Sequence, residues 1–281
     1  MTKILIAGPN SFFAKNFLKI LIKEKIKIYF LTRTKKDFLI IKNKYKLKSN
    51  NYILISEVSN SKNKIKFNFI INFIGKYEDK NEPYEIFYSN VILPLKLFKY
   101  SIISKSQFFI NIDTILIKKY NFYALTKGIF RKIMFSSITK SKTKIINLRF
   151  HNFFTFKKNH KNLISRIIKS SINNEIFFLT KGEQKREFLH IDDASSLLIK
   201  IIKNKNKFNK NLYNFNIGSN QQLSIKFIAN NLRKKFNSSI KLNVFKNKFV
   251  SEYQKDNYKS DNIIKKYINW KPKYSLKKFL T

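Results

Sequence analysis

Tyr123 and Lys127 are the side chains with the clearest capacity for chemistry. A tyrosine four residues before a lysine shares a helix face with it. The ammonium favours the ionised phenol, so the pair can exchange a proton near neutral pH, which a lone phenol does poorly. The spacing alone carries no weight. Six of the 58 basic residues are Arg, leaving 52 Lys among 281 residues, and 14 Tyr then meet such a Lys about 14 × 52/281 times by chance, between two and three. The chain has three such pairs, at Tyr123, Tyr267 and Tyr274. The surroundings single out the first. FFINIDT (108–114) is an apolar run that ends in Asp113-Thr114, nine residues before Tyr123. A hydroxyl at the C-terminal end of a parallel strand lies where doubly wound sheets bind ligands. Thr114 can hydrogen-bond a substrate oxygen that changes between carbonyl and alcohol. Tyr123 would transfer its proton, and Lys127 would steady the phenolate.

These residues need a scaffold that brings a nucleotide to them. Gly8-Pro9-Asn10-Ser11-Phe12-Phe13-Ala14 follows an Ile-rich run and opens a helical pattern. A dinucleotide pyrophosphate docks at such a turn, on backbone N–H groups and the positive helix end. Gly8 is the one glycine there, and the small Ser11 and Ala14 fill the other two positions. Arg33 lies 25 residues past Gly8, at the exit of the second strand. An acidic residue there would bind the ribose 2′-OH of NAD, whereas Arg accommodates a 2′-phosphate, so NADP(H) is favoured over NAD(H).

The elements follow from periodicity. Strands are expected at 3–7, 27–31, 51–55, 69–74, 107–112 and 144–148, with helices at 12–24, 83–105 (kinked at Pro94) and 122–137. This alternation predicts an α/β fold, a Rossmann doubly wound parallel sheet covered by helices. The texture changes near residue 150. Residues 1–150 are read as an NAD(P)-binding Rossmann domain. Residues 151–281 are read as a smaller α/β substrate lobe, with a segment near 186–203 returning to the first domain. That lobe is expected to hold helices at 163–171, 192–203 and 225–236, strands at 176–179, 186–191 and 212–217, and a loop at 157–162.

Composition bounds the rest. The absence of Cys excludes disulfides and thiol chemistry, and three scattered His argue against a metal site. No uninterrupted apolar run reaches the length of a bilayer span and the start lacks a signal-peptide pattern, so a cytoplasmic protein with no membrane partner is expected. The formal charge of +42 suggests a polyanion partner. However, Lys is spread evenly and outnumbers Arg nearly ninefold, while Asn, Ile, Phe and Tyr rise with it, as compositional drift would produce. Nucleic acid is therefore not expected, although the charge leaves it open.

The chain resembles the extended short-chain dehydrogenase/reductases that act on nucleotide sugars, the NAD-dependent epimerase/dehydratases. KILIAGPNSFFAKNF is similar to their cofactor loop, FNFIINFIG to their fourth strand, and SNVILPLKLF to their Asn-Val segment. FINIDT…YALTK resembles their active site, NLRFHNFF their sixth-strand exit, and INWKPKYSLKKFL their C-terminal segment. GEQKREFLHIDDAS is the most specific match, because Glu183, Arg186, His190 and Asp192 run against the Lys and Asn drift. The resemblance implies catalytic roles for Thr114, Tyr123 and Lys127. It implies a cofactor site of Gly8, Ser11, Phe12, Phe13, Ala14, Arg33, Glu57, Val58, Phe73, Ile74, Gly75, Asn90, Tyr123, Lys127 and His151. It implies a substrate site of Thr114, Asn152 and Arg186, and possible homodimerisation.

The short loop between Thr114 and Tyr123 resembles that of the CDP-abequose synthase-like reductases. Family dehydratases carry Asp-Glu after the active-site Thr, where this chain has Ile115-Leu116, so dehydration is not expected. The sequence thus implies NADP(H)-dependent reduction of a 4-keto nucleotide sugar, for surface polysaccharide by family resemblance. A nucleotide-sugar 4-epimerase with bound NAD is the alternative. A basic, catalytically weak Rossmann protein binding RNA or another polyanion is the alternative of another class.

Overall fold

The computed structural model describes residues 1–60, 65–77, 82–116, 121–138, 142–156, 162–175, 178–179, 182–236, 243–244, 259–261 and 263–281. The loop expected at 157–162 lies outside these except for Asn162.

Seven strands form one sheet: β1 (Thr2–Ala7), β2 (Ile26–Thr32), β3 (Tyr52–Leu54), β4 (Phe69–Asn72), β5 (Phe108–Thr114), β6 (Lys144–Phe150) and β10 (Leu212–Ile217). Their spatial order is β10-β6-β5-β4-β1-β2-β3. The β1–β2, β1–β4, β2–β3 and β4–β5 pairs are parallel, with Ile6 facing both Phe30 and Ile71. Ile4, Leu5, Ile6 and Ala7 are fully buried because helices cover both faces of a parallel sheet, which is why these strands read as continuous apolar runs. Each such side chain of Leu, Ile or Phe size contributes roughly 1.5–3 kcal/mol by leaving water. The chain reverses its direction of travel across the sheet between β1 and β4. At such a switch point the strand ends open a crevice, and ligands bind there.

Helix α1 (Phe12–Leu21) starts where the Ser11 hydroxyl accepts the Ala14 N–H at 3.2 Å, and it buries Phe13, Ala14, Phe17, Leu18 and Leu21. It ends three residues before the expected Glu24, because the chain must turn to begin β2 at Ile26. α2 (Lys35–Tyr45) carries a capping box between Thr34 and Asp37. The short α3 (Glu57–Asn60) follows β3. α4 (Pro83–Phe87), a π turn at Tyr88–Ile92 and α5 (Leu93–Ile103) form one continuous helix. The expected disruption at Pro94 is thus a π turn just before it, which accommodates the missing N–H and the proline ring. This helix is long and apolar enough to cross a bilayer, yet Ile86, Val91, Leu97, Phe98 and Tyr100 are buried and it covers the sheet next to α6 (Phe122–Ser136).

The chain divides into two units, Met1–Arg149 with Leu198–Phe215, and Phe150–Leu197 with Asn216–Thr281. The stretch grouped with the first unit overlaps the expected 186–203 only at 198–203. The second unit holds a three-stranded sheet, β11-β9-β7, from β7 (Asn152–Phe154), β9 (Lys185–His190) and β11 (Gln222–Ser224). β7 and β9 run parallel, and β9 and β11 antiparallel. β8 (Phe178–Leu179) pairs with β12 (Asn243–Val244). α7 (Leu163–Ile172), α9 (Ile225–Lys235) and α10 (Leu276–Leu280) bury Ile164, Ile168, Ile228, Leu232 and Leu276 against Phe154 and Phe188. α8 (Ile191–Lys203) follows β9, and the division between the units falls within it.

Candidate active site

The first unit brings its expected site residues together through short contacts. Gly8 has a φ of +74°, and a Cβ there would lie 2.9 Å from the backbone of both Phe73 and Ile74. Only glycine tolerates that conformation and that approach. Phe73 is fixed by its N–H to the Ala7 carbonyl at 2.9 Å and by edge contact with the Phe13 ring, 5.2 Å between centroids. The next carbonyl, that of Ile74, accepts the Lys127 ammonium at 3.0 Å, and the Ile112 carbonyl on β5 accepts it at 2.8 Å. Lys127 therefore ties β4, β5 and α6 together, with one N–H beyond these two bonds. Burial pulls its pKa down to about 8, Asp113 pushes it back up, and Arg131 pushes it down.

Tyr123 sits in the first turn of α6, which Asn121 caps by accepting the Ala124 N–H at 2.9 Å. A Cβ on Gly75 would lie 3.6 Å from the Tyr123 ring, 3.8 Å from its hydroxyl and 4.0 Å from the Lys127 ammonium. Gly75 is exposed, so the backbone leaves an approach beside both groups. Burial pushes the Tyr123 pKa well above 10, and Tyr77 and the Asp113 charge add to this. The Tyr77 ring stacks on Tyr123, 4.2 Å between centroids and 22° between planes, and the two hydroxyls are hydrogen-bonded.

Thr114 ends β5 two residues after Ile112. Its hydroxyl accepts the Leu116 N–H at 3.1 Å, which leaves its own hydrogen to donate elsewhere. The Arg149 guanidinium donates to the Thr114 carbonyl at 3.4 Å. Asp113 is engaged by other partners. It pairs with Arg131, accepts Asn147 at 3.1 Å and accepts the Thr114 N–H at 2.8 Å. Beneath the site runs an amide ladder across four strands. Asn72 donates to Asn111 at 2.9 Å, Asn111 to Asn147 at 2.7 Å, and Asn147 to Asn214 at 2.8 Å. Asn72 also accepts the Ile74 N–H at 3.1 Å, so the ladder ends on the residue that receives Lys127.

The remaining expected cofactor residues divide between the crevice and the structure around it. Ser11, Phe12 and Ala14 form the start of α1, with Ser11 as its cap. Asn90, on the π turn, is fully buried and clamps the loop after β4: it accepts the Lys76 N–H at 2.8 Å and donates to the Lys76 carbonyl and the Thr126 hydroxyl, each at 3.0 Å. Arg33 is exposed at the end of β2, next to Thr32, whose buried hydroxyl has no hydrogen-bond partner among the described residues. Glu57 accepts the Leu54 N–H at 2.7 Å, and Val58 is buried in the core.

The other expected residues lie in the second unit. His151 is buried, with its ring against Gly218. Asn152 and Arg186 share the three-stranded sheet, since Asn152 registers with Phe188, two residues along β9 from Arg186. Asn152 reaches the Glu187 carbonyl at 3.5 Å, and Arg186 donates to the Lys185 carbonyl at 2.9 Å. The structure explains two neighbouring motif residues. Buried Glu187 accepts from Asn220 N–H at 2.8 Å and from the Ser260 hydroxyl at 2.7 Å, which ties distant loops. Asp193 accepts the Lys273 and Tyr274 N–H groups at 3.0 and 2.9 Å, joining the Arg186 motif to the Trp-x-Pro motif. Tyr267 and Tyr274 belong to this unit, and the Tyr274 ring packs at a tilt on His190, 4.2 Å between centroids.

Comparison with known proteins gives the family and the fold. A family model described as "NAD dependent epimerase/dehydratase family" matches residues 4–218. A protein named CDP-abequose synthase, from Salmonella muenchen, is 27% identical over 250 residues, covering 86% of this chain and 83% of that protein. Among solved structures, Pal from Bacillus thuringiensis superposes with a TM-score of 0.79 at 19% identity, over 99% of this chain and 96% of that one. UDP-glucose 4-epimerase from Thermotoga maritima gives 0.77 at 14% identity, over 99% and 96%.

Proposed function

The chain belongs to the NAD dependent epimerase/dehydratase family, and from that premise we propose that it reduces a 4-keto nucleotide sugar with NADPH. The arrangement at the end of β5 carries this reading. One proton-transfer pair, Tyr123 and Lys127, is present, and the nearby carboxylate of Asp113 is consumed by Arg131, Asn147 and the Thr114 N–H. Ile115 and Leu116 follow Thr114 where the family's dehydratases carry Asp-Glu, so no acidic pair stands at that position to expel water. Simple ketone reduction needs only one proton and one hydride.

The crevice fits a dinucleotide. Gly8 keeps the β1 turn close to the β4 exit, and the unpartnered Thr32 hydroxyl beside Arg33 is a polar atom that a ribose or phosphate oxygen would satisfy. Arg33 suits a 2′-phosphate. Bound NADPH supplies the hydride. Thr114 donates its free hydrogen to the carbonyl oxygen and holds it. Tyr123 gives that oxygen its proton. Lys127, through the N–H left after the Ile74 and Ile112 carbonyls, holds the ribose and stabilises the phenolate. The family resemblance assigns Asn152 and Arg186 of the second unit to the sugar nucleotide and His151 to the cofactor. The relative named CDP-abequose synthase supports a CDP-linked substrate as the first to try.

The test is oxidation of NADPH and NADH against a panel of 4-keto nucleotide sugars, CDP-linked ones first, with Tyr123→Phe as control. NADPH consumption by the native protein and its loss in the variant are expected. Sugar inversion with co-purified NAD and no net oxidation would establish an epimerase instead. Steeply salt-dependent RNA binding with no turnover would favour a polyanion-binding role.

A further inference from the structure

Resting on this reading of Tyr123 as proton donor, we infer that Tyr77 is a second catalytic residue, a relay that returns a proton from solvent to Tyr123 after each turnover. Tyr123 is buried, 7% exposed, while Tyr77, stacked on it, is 61% exposed. Tyr77 therefore touches the buried phenol while most of its own surface meets water.

The backbone holds it there. The Lys76 N–H and carbonyl are both clamped by the buried Asn90, which is itself anchored to Thr126 one turn from Tyr123. Lys76 also pairs with Glu85 at 2.7 Å. The residue before Tyr77 is thus fixed at both its N–H and its carbonyl. Tyr123 itself has little direct contact with water, and burial first, then its contacts with Tyr77, keep its proton on in the resting state.

The cycle balances as follows. The Tyr123 O–H breaks as the substrate O–H forms, leaving a phenolate. The phenol hydroxyls then exchange roles, since each can donate or accept. The Tyr77 O–H breaks and the Tyr123 O–H reforms, leaving the charge on Tyr77. Water or a buffer acid then protonates the Tyr77 oxygen. The buried phenolate favours this direction, because burial disfavours its charge.

Tyr77→Phe keeps the ring and removes only the hydroxyl. The expected result is a fall in kcat of about tenfold with KM within twofold of native, a larger solvent deuterium isotope effect on kcat, and recovery of rate as a small buffer acid such as imidazolium is added. Native kcat in Tyr77→Phe would overturn the relay while leaving the Tyr123 reading intact. So would a loss that appears in KM alone or is insensitive to buffer acid, since that marks a packing role. Full turnover by Tyr123→Phe would overturn the underlying reading and the relay with it.

Discussion

Gly8→Ala offers a quantitative probe of how the fold sets the site. The residue is held at φ +74°, where a side chain costs roughly 1–2 kcal/mol. The new methyl would meet backbone atoms of Phe73 and Ile74 at 2.9 Å, a distance that neither can relieve by rotating a side chain. Forcing such overpacking costs about 1–3 kcal/mol, and reduced freedom of the unfolded chain returns about 0.4–1 kcal/mol. The net loss is about 1–5 kcal/mol, or roughly 2–20 °C in melting temperature for a chain of this size. Gly75→Ala is the matched comparison. Its φ is unremarkable and its Cβ would make ordinary contacts at 3.6–4.0 Å with Tyr123 and Lys127. Its stability should stay within about 0.5 kcal/mol of native while turnover falls, because the methyl enters the approach to the phenol. Thermal unfolding and NADPH titration of both variants decide the matter. Equal stability of the two variants, or native NADPH affinity in Gly8→Ala, would refute the argument that the β1 turn is wedged against the β4 exit.

Turnover should fall as pH rises through about 8, because the reaction needs the Lys127 ammonium and burial has brought its pKa there from 10.5. Stability should move oppositely: the unfolded lysine holds its proton to a higher pH than the folded one, so stability gains between about 8 and 10.5, which pH-jump denaturation would show. Asn111→Leu removes the middle of the amide ladder and leaves Asn72 and Asn147 each short of a partner, so denaturant unfolding should show a loss of about 2–6 kcal/mol. Arg33→Ala should weaken NADPH binding about 10- to 100-fold and leave NADH binding nearly unchanged, measured by fluorescence titration.

The sheet was legible because parallel strands buried on both faces leave contiguous runs such as KILIA and FFINI. α2 was missed because its Lys-rich surface hides a weak apolar stripe, although Thr34-Lys35-Lys36-Asp37 offered a capping-box signal. β7 and β11, three residues each, are too short to show a period. At the site, Gly8, Tyr123 and Lys127 are legible from their positions at strand and helix ends, whereas Ile74 and Gly75 are implied by the family resemblance alone. Tyr77 is neither, because its pairing with Tyr123 spans 46 residues of chain (123 − 77) and no local pattern marks it. The four ladder asparagines looked like drift in an Asn-rich chain, and only the strand order shows that they touch. Arg131 likewise acquires meaning only from Asp113, which lies 18 residues away in sequence. Asn90 was placed with the cofactor, but its amide is spent on Lys76 and Thr126, a fact that depends on the π turn.

The central claim is that hydride moves once, from NADPH to C4 of a keto-sugar. Incubating the protein with NADPH deuterated at the transferable position and a CDP-linked 4-keto sugar tests it directly. One deuterium at C4 of the product for each NADPH oxidised is the result expected. An unlabelled product, or product formed without NADPH oxidation, would contradict it.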